Sequence, residues 1–169
     1  MTHPARLPID ELLKSCEAQR FRASGPGGQH RNKVETAVRL LHRPTGVVAQ
    51  ASERRSQAQN HEVAVFRLRV SLALSVRSPV AEGSEPLPSD LWRSRSKGGK
   101  LAINPSHDDF PCLLAEALDG LASHSFEVPA VAGALGVSNS QLLKLLRHEP
   151  RAMEWLNAQR AEAGLPGLR

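Results

Sequence analysis

The chain of 169 residues is long enough for one ordinary domain or two small ones, and with no tyrosine its cores must be built mainly from Leu, Val and Ala. Two distant cysteines and seven scattered histidines fit neither a disulfide framework nor a metal motif, and no apolar run has the length of a membrane span or a signal-peptide core. A cytoplasmic protein without metal or other cofactor is therefore expected. The net charge is uneven, because residues 1–77 carry +7 (13 Lys/Arg against 6 Asp/Glu), residues 78–107 carry +1 and residues 108–169 carry −3, so the first part is expected to meet a polyanion.

Two elements are predicted before residue 52. Apolar residues recur at helical spacing from Ile9 to Cys16, with Asp10 as the predicted N-cap. The apolar run of residues 37–51 is interrupted at its centre by Pro44-Thr45-Gly46, which has the residues that a tight turn needs. This pattern predicts a β-hairpin.

A second helix is predicted from Ser56 to about Val76. Ser56 and Gln59 have the S-x-x-Q form of a capping box. From Phe66 to Val76, however, apolar residues alternate with polar or small ones, which is the periodicity of a strand. The length of the segment and its cap favour the helix, although periodicity alone does not decide between the two.

Residues 78–107 are rich in Pro, Ser and Gly and lack apolar periodicity, which predicts a flexible basic linker or an extended arm. The stretch WRSRSKGGK places an aromatic residue beside four cations, a pattern that can stack on bases and neutralise phosphates. The alternative is a plain linker whose charges keep it soluble. The candidate RNA contacts in this linker are Trp92, Arg93, Arg95, Lys97 and Lys100.

Residues 108–169 are predicted to form a small all-α domain of helix-turn-helix type. Asp109 and Pro111 are start signals for a helix whose apolar stripe runs from Leu113 to Leu121. A last helix is predicted near the end of the chain, after Pro150.

Between these helices, residues 128–150 indicate two short helices joined at residues 136–138, with Ser138 capping the second. The functional interpretation of this corner is a motif that reads DNA. The alternative is a helical bundle that uses the same corner for packing. The net charge of −3 argues against tight phosphate binding by this part alone, and favours packing or a protein or RNA contact.

The stretch SGPGGQHRNK, residues 24–33, sets three glycines and a proline beside a polar amide and a run of cations. In its wider context it resembles the catalytic domain of class I peptide chain release factors and of their stop-codon-independent relatives that rescue stalled ribosomes. The resemblance covers about residues 7–77 and implies an α+β GGQ catalytic domain, with a small β-sheet, a hairpin and helices, over residues 1–77. The matching positions are Arg22, Ser24, Gly25, Gly27, Gly28, Gln29, His30, Asn32, residues 36–38, residues 44–46, Arg55, Ser56, Gln57 and Asn60.

The resemblance implies hydrolysis of the ester that joins a nascent peptide to its tRNA in the peptidyl transferase centre. Gly27 and Gly28 would allow a backbone conformation that residues with a Cβ avoid. The main-chain N–H of Gln29 would stabilise the oxyanion that forms as water attacks, and its side chain would line the water site and exclude larger nucleophiles. No side chain need act as general base, since the terminal ribose hydroxyl of the tRNA and the ribosomal RNA are the expected participants.

The same resemblance implies the partners of the chain. The RNA of the large ribosomal subunit and peptidyl-tRNA are expected to bind a monomer, and a methyltransferase acting on Gln29 is a further partner because this glutamine is commonly N-methylated in the family. RNA contacts that position without reading sequence are expected from Arg22, Ser24, His30, Arg31, Asn32, Lys33, Arg54, Arg55 and Gln57. Arg31 departs from the family pattern, in which many members have an apolar residue after the GGQH.

Two departures shape the predicted function. Codon-reading release factors carry a large additional domain for which this chain has too few residues, so codon-independent release is predicted. Compact rescue factors carry a long Lys/Arg-rich tail, whereas here the basic segment is short, residues 93–100, and a helical region of acidic balance follows. Two alternatives stay open: a hydrolase that acts on split large subunits, and a non-catalytic nucleic-acid- or ribosome-binding regulatory protein with a C-terminal helix-turn-helix.

Overall fold

A computed structural model describes residues 2–22, 35–78 and 88–169 of the chain. The chain divides into two compact units, one formed by residues 4–76 and the other by residues 77–169 together with Thr2 and His3. None of the helices in these described ranges is both long enough and apolar enough to cross a membrane.

The first unit is an α+β arrangement built on one small sheet. Its elements are a 3-10 helix at Pro4–Arg6, helix α1 at Ile9–Lys14, strands β1 at Cys16–Phe21, β2 at Ala37–His42 and β3 at Val47–Ala51, and helix α2 at Gln57–Ser75. The strands are all antiparallel and lie in the order β1-β2-β3, with Phe21 of β1 opposite Ala37 and His42 of β2 opposite Val47.

Helix α2 packs across β2 and β3 and closes the core of this unit. It begins where the Ser56 hydroxyl accepts a hydrogen bond from the backbone N–H of Gln59, so the predicted capping residue is confirmed. Its fully buried side chains recur every four residues, which is helical spacing, and the strand-like alternation after Phe66 is therefore not realised. The buried positions along this stripe are Asn60, Ala64, Leu68 and Leu72, and the buried strand positions include Val38, Leu40, Ala49 and Ala51.

The hairpin of β2 and β3 is confirmed, with Gly46 donating its backbone N–H to the carbonyl of His42 at 2.9 Å. The beginning of the unit differs from the prediction in two ways. Helix α1 follows Pro8 at its N-cap, so Asp10 lies in the first turn instead of capping it. Cys16 begins strand β1, which the sequence did not predict because four of its six residues are exposed and carry no alternating apolar pattern.

The second unit is mainly helical. Its elements are α3 at Asp90–Arg95, β4 at Ser96–Lys97, β5 at Lys100–Leu101, α4 at Phe110–Ser123, α5 at Val128–Ala134, α6 at Asn139–Arg147 and α7 at Pro150–Glu162. Helix α4 is its centre, since every residue from Phe110 to Leu121 is buried, and α5 and α6 pack against it. The helices predicted after residue 108 are confirmed, with Pro150 as the first residue of the last helix.

Residues 88–101 differ from the predicted flexible linker, because they form α3 and a small hairpin. Gly98 and Gly99 make the hairpin turn with φ of +58° and +75°, the left-handed values that a two-residue turn of this kind needs. The polar composition does not predict this helix and hairpin, because the segment buries few large apolar side chains, among them Trp92 and Leu101. Residues 79–87 of the predicted linker lie outside the described residues.

Candidate functional site

The GGQ sequence lies within residues 23–34, the GGQ segment, which is outside the described residues. The positions that flank this segment define the candidate site. Phe21 and Ala37 are opposite each other at the end of the β1–β2 pair. Arg22, the residue after Phe21, forms an ion pair with Glu35, two residues before Ala37, with 3.5 Å between Nε and Oε1, and both side chains are more than half exposed. The two flanks of the GGQ segment thus lie close together at one end of the sheet.

Asn60 ties one of these flanks to the loop that precedes α2. Its side-chain amide donates to the backbone carbonyls of Thr36 at 2.8 Å and Arg54 at 3.0 Å. Its Oδ1 accepts the backbone N–H of Arg54 at 2.9 Å. Because Asn60 is completely buried, these three bonds satisfy polar atoms that would otherwise be desolvated at a cost of about 1–3 kcal/mol each.

The loop that Asn60 holds in place carries two exposed cations, Arg54 and Arg55. The nearby Glu53 carboxylate is occupied by Arg67 at 2.5 Å and by the backbone N–H of Ser52 at 2.9 Å. The hydrogen bond from Ser52, followed by those from Arg67, lowers the pKa of Glu53 and keeps it ionised in this pairing. In the described ranges no carboxylate pairs with Arg54 or Arg55, so both guanidinium groups remain available to an anionic ligand such as a phosphate.

Gln57, the last predicted contact in this unit, is the first residue of α2 and is partly exposed beside the same loop. We name the set of Arg22, Glu35, Thr36, Arg54 and Asn60 the anchor region. The described residues hold no group of three or more His, Cys, Asp or Glu side chains arranged to bind a metal ion.

Trp92, the predicted stacking residue, lies in the core of the second unit with no solvent exposure. Its indole N–H donates to the backbone carbonyl of Leu135 at 2.9 Å. The ring cannot stack on a base while this unit is folded, in contrast to the expectation from the sequence. The backbone N–H of Trp92 also donates to the hydroxyl of Ser89 at 3.2 Å.

The predicted cations of the same region separate into paired and solvent-facing ones. Arg93 forms an ion pair with Asp90 at 2.8 Å, and Arg95 donates from Nε to Oδ2 of Asp109 at 2.8 Å. The exposed lysines of the hairpin are Lys97 and Lys100. Of the five residues predicted to contact RNA in the linker, these two best meet the requirement of an accessible, unpaired charge.

Comparison with known families assigns the chain to a protein family. The family model described as the RF-1 domain matches residues 8–99, which is more than half of the chain. The chain belongs to the RF-1 domain family. It is therefore a protein of the class I release factor type with a GGQ sequence, as its resemblance predicted.

The relatives of known function that the chain matches include peptide chain release factors 1 and 2, each over part of the chain. The chain is 46% identical over 79 residues to peptide chain release factor 1 of Xylella fastidiosa, covering 47% of this chain and 19% of that protein. It is 42% identical over 72 residues to mitochondrial peptide chain release factor 1 of Bos taurus, covering 43% and 16%. It is 60% identical over 52 residues to peptide chain release factor 2 of Variovorax paradoxus, covering 31% and 14%. The chain thus spans about a fifth or less of the length of these relatives.

The predicted site residues fall within the RF-1 domain match, apart from Lys100. The structure brings the flanks of the GGQ segment and the Arg54 loop together within the first unit, and it places the linker residues in the second unit. The predicted residues outside the described ranges are Ser24, Gly27, Gly28, Gln29, His30, Arg31, Asn32 and Lys33.

From the sequence alone, Asn60 has no predicted role beyond its place among the matching positions. The signal that could have found it is its residue type, since an asparagine on the buried stripe of a helix needs hydrogen-bond partners for its whole amide group.

Proposed function

We propose that this protein hydrolyses the peptidyl-tRNA ester in the peptidyl transferase centre, independently of the codon, and so releases nascent chains from stalled ribosomes. The observation that carries the proposal is that GGQ, residues 27–29, lies inside the match to the RF-1 domain at residues 8–99. The partners in this proposal are the RNA of the large subunit and peptidyl-tRNA, bound by a monomer, and a methyltransferase that modifies Gln29.

In the proposed chemistry the backbone N–H of Gln29 faces the oxyanion that develops as water attacks the ester carbonyl. Removal of one such preorganised donor costs about 10²–10³ in rate. Gly27 and Gly28 serve the backbone conformation that points this N–H at the reacting carbonyl. The Gln29 side chain selects water as the nucleophile by excluding larger ones.

The anchor region and the neighbouring Arg55 support this assignment through their charge and through the hydrogen bonds of Asn60. Arg54 and Arg55 are exposed and have no carboxylate partner in the described ranges, which suits contact with phosphates that position the chain without reading sequence. The buried Asn60 fixes the backbone of both Thr36 and Arg54.

Codon independence is the finer part of the proposal. Within the 169 residues, the only element that resembles a Pro-x-Thr codon-reading motif is the turn at residues 44–46, which closes the hairpin of β2 and β3. We further infer that residues 78–107, of which residues 88–101 fold with the second unit, connect a GGQ domain at residues 1–77 to a helix-turn-helix type domain at residues 108–169 that recognises the stalled complex. The two short helices α5 and α6 and the Ser138 cap between them support the last of these domains.

The test is release of labelled peptide from ribosomes that carry peptidyl-tRNA, with an empty decoding site, a sense codon or a stop codon. The wild type is compared with Gly28→Ala and with a matched control, Gly133→Ala. Gly133 lies in helix α5, and a Cβ added there meets no atom within 4 Å, so this change should leave the fold and the release rate unaltered.

Each outcome decides a different part of the proposal. Release at all three decoding states by the wild type and by Gly133→Ala, with loss in Gly28→Ala, is the expected result. Release at the stop codon alone would remove the codon-independent part. If intact ribosomes give no release, split large subunits are tested next, and a second negative result would leave a binding protein without hydrolytic activity.

A further inference from the structure

The hairpin of the second unit is fastened to the start of helix α6. The carbonyl of Gly99 at the hairpin turn accepts the backbone N–H of Ser138, the N-cap of α6, at 3.1 Å. The backbone N–H of Leu101 donates to Oε1 of Gln141 at 3.2 Å. These two bonds hold residues 96–101 beside residues 138–147, and we name the surface formed by these two segments the hairpin–α6 face.

The charges of the second unit are segregated onto this face. Residues 77–169 as a whole carry 10 Lys/Arg and 11 Asp/Glu, so the unit has no positive balance. The two segments of the hairpin–α6 face, by contrast, contain four cations and no Asp or Glu. The four cations are Lys97, Lys100, Lys144 and Arg147, and all four are exposed.

Most of the other cations of the second unit are bound by carboxylates or backbone carbonyls of the same unit. The unpaired positive charge is therefore concentrated on the hairpin–α6 face. Arg160, for example, donates to the carbonyls of Phe126 at 2.6 Å and Pro166 at 2.9 Å. The ion pairs elsewhere in the unit are Arg77–Asp119, Arg93–Asp90, Arg95–Asp109 and Arg151–Glu149. In the described part of the unit, no carboxylate is paired with Lys97, Lys100 or Lys144, so their charge is free to meet an external anion.

We propose that the hairpin–α6 face is a second RNA-binding surface, which contacts the phosphate backbone of folded RNA through Lys97, Lys100 and Lys144. The chemistry of recognition is that of compact ammonium groups on phosphate oxygens. This surface gives the second unit a role in binding even though its overall charge is slightly negative. It goes beyond the proposed hydrolysis and does not depend on it.

The geometry favours RNA over insertion of α6 into the major groove of DNA. A helix that reads a major groove uses the side chains of its first turns on base edges. Here Oε1 of Gln141 already accepts the backbone N–H of Leu101. The carbonyl of Gly99 in the hairpin accepts the backbone N–H of Ser138 at the same end of α6. Double-stranded RNA is recognised mainly through phosphates and sugar hydroxyls, which such a lysine surface can reach from outside.

The test is fluorescence anisotropy of the full chain with a labelled RNA hairpin, and with a DNA hairpin of the same sequence, at several salt concentrations. The variants are Lys97→Gln/Lys100→Gln together and Lys144→Gln alone. A charge-matched control is Ala158→Glu/Ala161→Glu, which makes the same net change of −2 at exposed positions of helix α7. All of these side chains are exposed, so the fold should be retained, and far-UV circular dichroism verifies this.

We expect the double lysine variant to bind the RNA hairpin about three- to tenfold more weakly and to lower the slope of log K against log salt by about 2. The single variant should lower that slope by about 1. The control should lose much less affinity and keep the slope of the wild type.

Three results would overturn the proposal: equal losses in the lysine variants and the control, no loss in the lysine variants, or equal losses on RNA and DNA, which would replace RNA by nucleic acid in general. Because Gly28→Ala should bind the RNA hairpin as the wild type does, failure of this surface and failure of hydrolysis are separate observations.

Discussion

The side chain of Asn60 joins Thr36 to Arg54, with its amide nitrogen 2.8 Å from the carbonyl oxygen of Thr36 and 3.0 Å from that of Arg54. Thr36 is two residues beyond the GGQ segment, whereas Asn60 lies 24 residues away on the buried stripe of α2. A single amide therefore fixes the backbone at the exit of the GGQ segment to the loop that presents Arg54. We assign Asn60 as a positioning residue, since it acts through the backbone of other residues.

Asn60→Asp is expected to weaken both the fold and peptide release. The aspartate keeps the size of the side chain but cannot donate to the carbonyls of Thr36 and Arg54, and it places a carboxylate in a fully buried position. We expect the free energy of unfolding to fall by about 2–4 kcal/mol. Urea unfolding followed by circular dichroism measures this loss, and release is measured where the variant is still folded.

Asn157→Asp is the matched control for this change. Asn157 also makes two bonds to one backbone, donating to the carbonyl of Leu168 at 3.0 Å and accepting its N–H at 2.7 Å, but it belongs to the second unit. This control should lose stability and keep the release rate of the folded protein. Equal effects of the two variants on release would show that Asn60 contributes only to stability.

Arg22 has two candidate roles, contact with RNA and an ion pair with Glu35 that closes the flanks of the GGQ segment. At 3.5 Å and with both side chains more than half exposed, the pair should contribute at most about 1 kcal/mol to stability. If Arg22 serves as an RNA contact, Arg22→Gln should lower peptide release while Glu35→Gln leaves it unchanged. Single-turnover release with both variants measures this contrast. Equal losses would instead assign Arg22 to closing the flanks of the GGQ segment through Glu35.

Trp92 is expected to act as a core residue. Trp92→Phe keeps most of the buried ring but leaves the carbonyl of Leu135 without its donor, so we expect a loss of about 1–3 kcal/mol in the free energy of unfolding. RNA affinity of the folded variant should equal that of the wild type. A variant that is fully folded by circular dichroism and yet binds RNA more weakly would restore the stacking role that the sequence indicated.

The elements that the sequence predicted correctly are those encoded by local chemistry. The cap at Ser56 begins α2, and the turn at residues 44–46 closes the hairpin of β2 and β3. Strand β1 escaped prediction because it is an exposed edge strand, where packing does not impose an apolar alternation. Its place is decided by pairing with β2, a contact between residues far apart in sequence.

The helix and hairpin of residues 88–101 were not predicted because they too depend on contacts between residues far apart in sequence. Ser89 donates its backbone N–H to the buried carboxylate of Glu116 at 2.7 Å, and Trp92 reaches Leu135. Both contacts span more than 25 residues, and neither leaves a periodic pattern in a short polar segment. The candidate site follows the same rule: its GGQ sequence was evident from the chain, whereas the link from Asn60 to Thr36 depends on the fold.

His42 provides a prediction about pH. It is 4% exposed on β2, with Nδ1 2.7 Å from the hydroxyl of Thr45, and burial lowers its pKa below the ordinary value. The unfolded chain then binds a proton at His42 more readily than the folded chain does. The contribution of neutral His42 to the free energy of unfolding is therefore complete above about pH 6.5 and is lost as the pH falls below it. One such group changes the free energy of unfolding by at most about 1.4 kcal/mol per pH unit.

His42→Gln should remove this part of the pH dependence from the first unit alone. Both tryptophans, Trp92 and Trp155, lie in the second unit, so tryptophan fluorescence follows that unit while circular dichroism follows both. Urea unfolding at pH 7.5 and 5.5 should show a smaller change with pH for the variant by circular dichroism, and the same fluorescence transition for both proteins. An unchanged pH dependence in the variant would mean that other groups carry it, because a glutamine in place of His42 has no proton to gain.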